Sequence, residues 1–249
     1  GARICLETEV EGVDGFVGNF DIALKGKTTE MMPAGAIILA FGADLYDPKG
    51  EFGSGELKNV ITASDLEEQF CGDGEVKLAD GEKPKTAAFI LCVGSRECDG
   101  FTGCSRYCCP TSIKQAIQLR EQGVDVSIFY RDIRTVSTGS EEMYRKARGM
   151  GVLFIRVPDG QKPEVLGDGK VSGVRCYDNL LRQTIEAPAD LVVLSTGMKA
   201  LQPETEHFHD LLKPSLGLDG FFLERHPELA PVETSVEGVL VAGTVQGPK

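Results

Sequence analysis

Nowhere in the 249 residues do enough apolar residues run together to cross a bilayer as a helix, which takes about 20. The start, Gly-Ala-Arg-Ile-Cys-Leu-Glu, also lacks the charged and apolar regions of a signal peptide. No membrane span is expected, and the cytoplasm is the default compartment. Basic residues are in deficit: 26 Lys and Arg against 38 Asp and Glu leave a formal charge of −12. That balance would repel a phosphate backbone or an anionic membrane and argues against both as partners. There is no C-x-x-C pair, so the dithiol signature of thioredoxin-like redox sites is missing. There is also no G-x-G-x-x-G, the loop whose backbone N–H groups reach a pyrophosphate. No internal repeat or low-complexity segment breaks the chain.

What the chain does have is length for one large or two ordinary domains and 41% apolar residues to build their cores. It also has eight cysteines, five of them between Cys92 and Cys109. In a chain of this size such density points to metal or redox use rather than to a disulfide framework, which belongs to short secreted domains. The cysteines follow the apolar run Thr86 to Val93 and lead into Ser112-Ile-Lys-Gln-Ala-Ile-Gln-Leu-Arg, whose Ile113, Ala116, Ile117 and Leu119 recur at helical spacing. They therefore occupy a strand-to-helix loop. In an open α/β fold that is the ligand-binding end of the sheet, and the helix it opens offers N–H groups and a positive dipole end to anions.

Residues 3 to 10 and 16 to 24 read as an antiparallel pair around a Gly-rich turn, and Ala34 to Ala43 as a buried strand ending in Gly42. Residues 44 to 59 read as an irregular crossing between domains. Thr62-Ala-Ser-Asp-Leu-Glu-Glu-Gln-Phe70 starts like a capped helix, with Thr62 or Ser64 at the N-cap. From Thr86 strands and helices alternate: strand 86–93, helix 109–122, strand 124–130, helix 141–148, strand 152–157. This order predicts a parallel sheet with right-handed crossovers. A β-meander over 163–187, a strand over 190–197, a helix near 204–212 and a last strand over 238–243 complete the reading.

Three strand-then-glycine signatures, Ala40-Phe-Gly-Ala43, Ser195-Thr-Gly-Met198 and Val241-Ala-Gly-Thr244, are similar to those of the two-dinucleotide-domain flavoprotein disulfide reductases. The motifs Cys92-Val-Gly-Ser-Arg96, Cys104-Ser-Arg-Tyr-Cys-Cys109, Phe129-Tyr-Arg-Asp-Ile-Arg134, Asp190-Leu-Val-Val-Leu-Ser195 and Gln246-Gly-Pro-Lys249 resemble, more narrowly, the A subunit of heterodisulfide reductase and its homologues. The resemblance spans nearly the whole chain. It implies an α/β fold of FAD/NAD(P)-binding, Rossmann-like architecture, with a parallel-sheet second domain inserted in a partial FAD domain. The expected division is residues 1–70 and 201–249 for the FAD-domain segments and 71–200 for the inserted domain. Because the Gly-rich βαβ unit that opens the FAD domain in that family is missing, the chain reads as an excised fragment.

The resemblance further implies a [4Fe–4S] cluster on Cys92, Cys104, Cys108 and Cys109, and flavin contacts at Gly42, Gly243, Gln246 and Lys249. Four thiolates suit a cubane, Cys104 and Cys108 can lie one helical turn apart, and Arg96 and Arg106 offer positive charge to an anionic cluster. Zinc, which also takes four thiolates, disulfides and plain buried thiols stay open as alternatives. Cys98 lies outside the family motif, and Cys5, Cys71 and Cys176 read as ordinary small residues, as His207, His209 and His226 read as surface or capping residues. Asp132 stands where a nicotinamide-binding domain has its ribose-binding acid, but only Gly94 follows the preceding strand closely, so the nicotinamide site reads as exchanged for a metal site. The function this implies is that of an electron-transfer flavoprotein component of a larger oxidoreductase, inactive as a fragment, passing electrons between FAD and other redox subunits of a complex through the cluster. A second copy of the chain is a further candidate partner. The competing readings are an NAD(P)H-dependent flavin disulfide oxidoreductase and a zinc-binding interaction scaffold.

Overall fold

The computed structural model describes residues 1–72, 74–96 and 102–248; Cys98 and Lys249 lie outside the described residues. In chain order the elements are β1 (Thr8–Phe16), β2 (Asn19–Gly26), β3 (Glu30–Ala34), β4 (Ile37–Leu39), β5 (Ala43–Leu45), β6 (Val60–Thr62), α1 (Ala63–Cys71), β7 (Thr86–Val93) and α2 (Cys108–Glu121). There follow β8 (Asp125–Tyr130), α3 (Ser140–Gly149), β9 (Leu153–Arg156), β10 (Glu164–Asp168), β11 (Lys170–Asp178), β12 (Gln183–Pro188), β13 (Leu191–Thr196), β14 (Met198–Ala200), α4 (Glu204–Leu212) and β15 (Val239–Val241). A 3-10 turn, Gly243–Gln246, closes the series. The chain forms two compact units, a split one made of 1–44 and 198–249 and an inserted one made of 45–197.

In the split unit β1, β2 and β3 form an antiparallel meander. Phe20, Ile22 and Leu24 of β2 are buried while Asn19, Asp21 and Lys25 are exposed, the two-residue period of a sheet with one wet face. The sequence predicts only the first hairpin. It hides β3 because Pro33 argues against a strand, yet β3 is the sheet's edge, where a missing N–H is tolerated. The expected strand 34–43 shortens to β4, which pairs in parallel with β15 through Ile37↔Val239 and Leu39↔Val241. Phe20, Ile22, Leu39, Phe222, Val239 and Val241 share the core of this unit.

The inserted unit is built on a five-stranded parallel sheet in the order β6-β13-β7-β8-β9, as the alternating pattern predicts. It begins earlier than the expected residue 71. Val60 and Ile61 pair with Val192 and Val193, so β6 and the helix it feeds belong to the sheet. That helix, α1, opens with a full capping box in which Asp65 N–H donates to Thr62 Oγ1 at 3.2 Å and Thr62 N–H to Asp65 Oδ2 at 2.8 Å. One face of the sheet packs on the helices through Phe89, Leu66, Ile113, Ala116 and Leu119. The other packs on the β10–β12 meander through Ala88, Ile90, Val192, Leu194 and Val174. A central strand covered on both faces must be apolar along its whole length, and β7, Thr-Ala-Ala-Phe-Ile-Leu-Cys-Val, is buried at every position after Thr86.

Candidate functional site

Along β7 the side chains alternate: Ala87, Phe89 and Leu91 enter the helix-side core, Ala88 and Ile90 the meander-side core. Cys92 should therefore face the meander. It faces the helices instead, next to Leu91, while Val93 returns to the meander side. The cause is a bulge: β7 advances from Ile90 to Val93 while β13 advances only from Leu194 to Thr196, and Cys92 takes up the extra residue in a left-handed conformation, φ 63°. Bulges of this kind re-aim a side chain near functional sites. The helix-side core that receives Cys92 also contains Cys109, from the start of α2.

The loop after β7 is built tightly. A side chain at Gly94, φ 68°, would run into the ring of Tyr46, and one at Gly197 would lie 2.8 Å from Ser95 Cβ and 3.0 Å from Ser105 Oγ. Arg96 and Arg106 also adopt positive φ, 60° and 58°, a region that costs an ordinary residue free energy and collects at functional sites. The turn at Arg106 keeps Cys104 off the helix. Cys104 precedes α2, which begins only at Cys108, so the expectation that the two lie one helical turn apart does not hold. Cys104 Sγ instead accepts the Arg106 N–H at 3.3 Å. Cys108 and Cys109 are the first two residues of α2, whose N-terminus is capped by no described side chain and carries no acid in its first turn. Its dipole end favours negative charge there.

The strand at the loop's other side completes the site. The Thr196 carbonyl accepts both the Tyr107 hydroxyl, at 2.6 Å, and the Cys108 thiol, at 3.5 Å; Ser112 Oγ and Ser195 Oγ lie 2.6 Å apart. β7 continues to β8 and β9 on one side of the sheet, while β13 and β6 lie on its other side. The crevice between the carboxyl ends of β7 and β13 is thus the switch point where open α/β sheets bind ligands.

At Cys92, Cys108 and Cys109 burial and the neighbouring sulfurs both disfavour the thiolate. Burial pushes the Cys108 thiol far up, and negative charge at Cys92, Cys109 or Cys104 pushes it further. Burial likewise raises Cys109 to about 11, against a pull from hydrogen bonding to the backbone at Arg134 and with a further push from Cys92 and Cys104. At Cys92 burial also wins, over the opposing cations of Arg96 and Arg131. Cys92, Cys108 and Cys109 are buried and Cys104 is half-buried, and thiolates in such surroundings gain from a cationic centre among them. Among the described residues no three His, Cys, Asp or Glu side chains are close enough to hold a single metal ion. Four thiolates are the donor set of a tetrahedral zinc and of a cubane alike.

Asp132, at the end of β8, does not stand free for a ribose. Its carboxylate pairs with Arg96 and, at 3.4 Å, with Arg134 Nε. Burial draws its pKa up, but the two arginines prevail and hold it below the ordinary value. The sequence reading missed this pairing because 36 residues separate Arg96 from Asp132; the only signal is that adjacent parallel strands must end side by side. It missed the Thr196 carbonyl for the same reason. Arg106, expected to face the cluster, is exposed, and Arg131 acts on Cys92 in its place.

In the split unit Gly42 and Gly243 follow the paired strands β4 and β15, both with positive φ, 84° and 74°. A side chain at Gly42 would meet Thr244 Oγ1 at 3.7 Å, and one at Gly243 would meet open space. Gln246 ends the 3-10 turn that starts at Gly243, so three of the four expected flavin contacts sit around the carboxyl ends of two parallel strands, and Lys249 lies outside the described residues. The glycines leave backbone that a flavin could approach, which fits that cofactor in part. The remaining candidates are structural: His207 Nε2 lies 2.7 Å from the Val10 carbonyl, His209 Nδ1 2.9 Å from the Pro214 carbonyl, and His226 Nδ1 accepts two backbone N–H groups. Cys176 is core, and all described cysteines are free thiols. No described helix is long and apolar enough to cross a membrane.

No protein-family model matches the chain. Among curated proteins it is 41% identical over 231 residues to the iron-sulfur A subunit of the CoB–CoM heterodisulfide reductase of Methanocaldococcus jannaschii, covering 88% of this chain and 35% of that one. It is 42% identical over 228 residues to the A subunit of the H(2):CoB-CoM heterodisulfide,ferredoxin reductase of Methanothermobacter marburgensis, with 86% of this chain and 34% of that one covered. The chain spans about a third of the length of these relatives. Among solved structures the thioredoxin reductase of T. acidophilum aligns over 97% of this chain and 66% of its own, with a TM-score of 0.58 at 19% identity, which shows a shared fold.

Proposed function

From the chain's homology to about a third of the heterodisulfide reductase A subunits, we propose that it is the electron-transfer portion of a flavoprotein subunit of such a complex. In this reading Cys92, Cys104, Cys108 and Cys109 hold a [4Fe–4S] cluster, and Gly42, Gly243, Gln246 and Lys249 contribute to a flavin site completed by other residues. A cluster bound there would accept and pass on single electrons. The observation that carries the reading is the shared neighbourhood of four thiols at the switch point of the sheet, one of them turned into place by a bulge. The chain's own residues shape that site. The Thr196 carbonyl fixes Cys108 and Tyr107, the α2 N-terminus offers its dipole to the thiolates, and burial keeps water from Cys92, Cys108 and Cys109. The partners in this reading are the other redox subunits of the complex.

Anaerobic reconstitution followed by iron and sulfide analysis tests the proposal. The expected result is about four irons per chain with a broad absorption near 400 nm, as cubanes give. Cys104→Ser and Cys108→Ser should lower the iron content, and Cys98→Ser should not. Stoichiometric zinc that reconstitution does not displace would overturn the cluster in favour of a zinc scaffold.

A further inference from the structure

The peptide between Thr196 and Gly197 is held so that its carbonyl cannot choose a partner. The Gly197 N–H donates to the Val93 carbonyl at 2.7 Å, and in a planar trans peptide the Thr196 carbonyl then points the opposite way, off β7. On that side β6 has run out: its last residue, Thr62, lies opposite Leu194, two residues before Thr196. The peptide cannot swing round, because Gly197 also accepts the Tyr46 N–H at 2.8 Å and Ser195 Oγ lies 2.6 Å from Ser112 Oγ. Thr196 is 1% exposed, so water has little access to its oxygen. Two side chains at the start of α2 serve it instead, the Tyr107 hydroxyl at 2.6 Å and the Cys108 thiol at 3.5 Å. A carbonyl has two lone pairs and can take both donors, of which the phenol is the stronger and the thiol the weaker. Cys109 is set apart from this pair, since its thiol donates to a different carbonyl, that of Asp132, at 3.9 Å.

We propose that Tyr107 is a positioning residue of the thiol site, whose hydroxyl keeps the Thr196 carbonyl satisfied when the Cys108 sulfur leaves that carbonyl to bind a metal. The inference rests on the reading of Cys108 as a metal ligand. A sulfur that ligates a metal is a thiolate and no longer a donor. With no second donor, metal binding would strip a buried carbonyl of its partner, a loss that weakens binding by a factor of about 5 to 150. In the metal-free chain the two donors back each other; with metal bound, Tyr107 serves the carbonyl alone. Groups that support a ligand in this way, without touching the metal, commonly set its affinity.

The test is a double-mutant cycle by urea unfolding of the reduced, metal-free full chain, joined to a cobalt(II) titration of the same proteins, in which the sulfur-to-cobalt absorption reports bound thiolates. In the wild-type background Tyr107→Phe leaves the thiol as donor and should change the unfolding constant by less than about threefold. In Cys108→Ala it removes the second of the two donors and should change that constant by a factor of about 5 to 150. Cys108→Ser, whose hydroxyl can replace the thiol as donor, should restore the small effect, and in Cys109→Ala the effect should match that in wild type. Tyr107→Phe should also weaken cobalt binding by a factor of about 5 to 150, with no loss of thiolate absorption per cobalt. A Tyr107 that only supports the fold would cost the same in every background and leave cobalt affinity alone. Either result, additivity in the Cys108→Ala background or wild-type cobalt affinity in Tyr107→Phe, overturns the proposal. If the Tyr107→Phe/Cys108→Ala chain does not fold, the cobalt affinity of Tyr107→Phe decides. Four irons in the reconstituted wild-type chain beside an unshifted Tyr107→Phe affinity overturn the role of Tyr107 and leave the cluster reading standing. A wild-type chain that binds neither cobalt nor iron overturns both.

Discussion

Gly94→Ala separates the two demands that the turn after β7 makes on its sequence. The first is conformational. At φ 68° an alanine enters the left-handed region at a cost of about 1–2 kcal/mol. The second is steric: the new Cβ would overlap three carbons of the Tyr46 ring, and overpacking of this kind costs about 1–3 kcal/mol. Tyr46 cannot simply swing aside, since its N–H donates to the Gly197 carbonyl at 2.8 Å and its hydroxyl bonds Glu51. Together these give a loss of about 2–5 kcal/mol, a large share of the roughly 5–15 kcal/mol of a natural domain. Urea unfolding of the full chain by circular dichroism reads it directly. With a urea slope of about 2.5 kcal/mol/M, within the usual range, the midpoint should fall by about 1–2 M. The double variant Gly94→Ala/Tyr46→Ala removes the overlap and keeps the backbone strain, so it should be more stable than the sum of the single effects by about 1–3 kcal/mol. A Gly94→Ala midpoint within error of wild type, or strict additivity in the cycle, would refute the reasoning.

Thr62→Ala removes one arm of the α1 capping box and should destabilise the inserted unit by about 1 kcal/mol, read by urea unfolding, while iron content after reconstitution stays at the wild-type level. Cys109, raised to about 11 from an ordinary value near 8.5, holds its proton at neutral pH, and Cys108 lies higher still. Iron binding must therefore displace protons, and apparent affinity measured by chelator competition should rise with pH between about 6.5 and 9; a flat profile would contradict the buried thiols. The same shift means that between about 8.5 and 11 the metal-free folded chain binds more protons than the unfolded one, so its stability should fall as pH rises through that window. FAD added to the chain should bind weakly by equilibrium dialysis, because no G-x-G-x-x-G cradle is present, and tight stoichiometric binding would show that the residues around Gly243 suffice.

The alternating core was legible because a strand buried on both faces has to be largely apolar, as β7 is after Thr86 and as the middles of β8 and β13 are. β3 was not, because its proline is acceptable only at an edge, and which strand forms the edge is a tertiary fact. β6 escaped because three residues are too few to show a period. At the site, clustering in sequence exposed the cysteines but said nothing of their orientation. Even spacing would have aimed Cys92 at the wrong face, and only the register against β13 reveals the bulge. The expectation that Cys104 and Cys108 lie one helical turn apart likewise fails, because the positive φ at Arg106 interrupts the chain before α2 begins. The Arg96–Asp132 pair illustrates the general limit: a contact made by two strand ends is encoded by the sheet, not by the residues between them.

The hydrogen bond from Tyr46 N–H to the Gly197 carbonyl ties the first residues of the inserted unit to its last. In an unfolded chain the two parts of the split unit would be the ends of a loop of roughly 150 residues, and bringing them together would cost about 4 kcal/mol of chain entropy. Once residues 45–197 have folded, their termini are already adjacent and that penalty has vanished for the remainder. The order of events during synthesis and refolding follows: the inserted unit, whose strands and helices succeed one another locally, acquires protection from hydrogen exchange first, and β4 and β15 pair only afterwards. A chain interrupted within the sheet should therefore lose both units, whereas damage to the β4–β15 pair should leave the cysteine-bearing sheet intact.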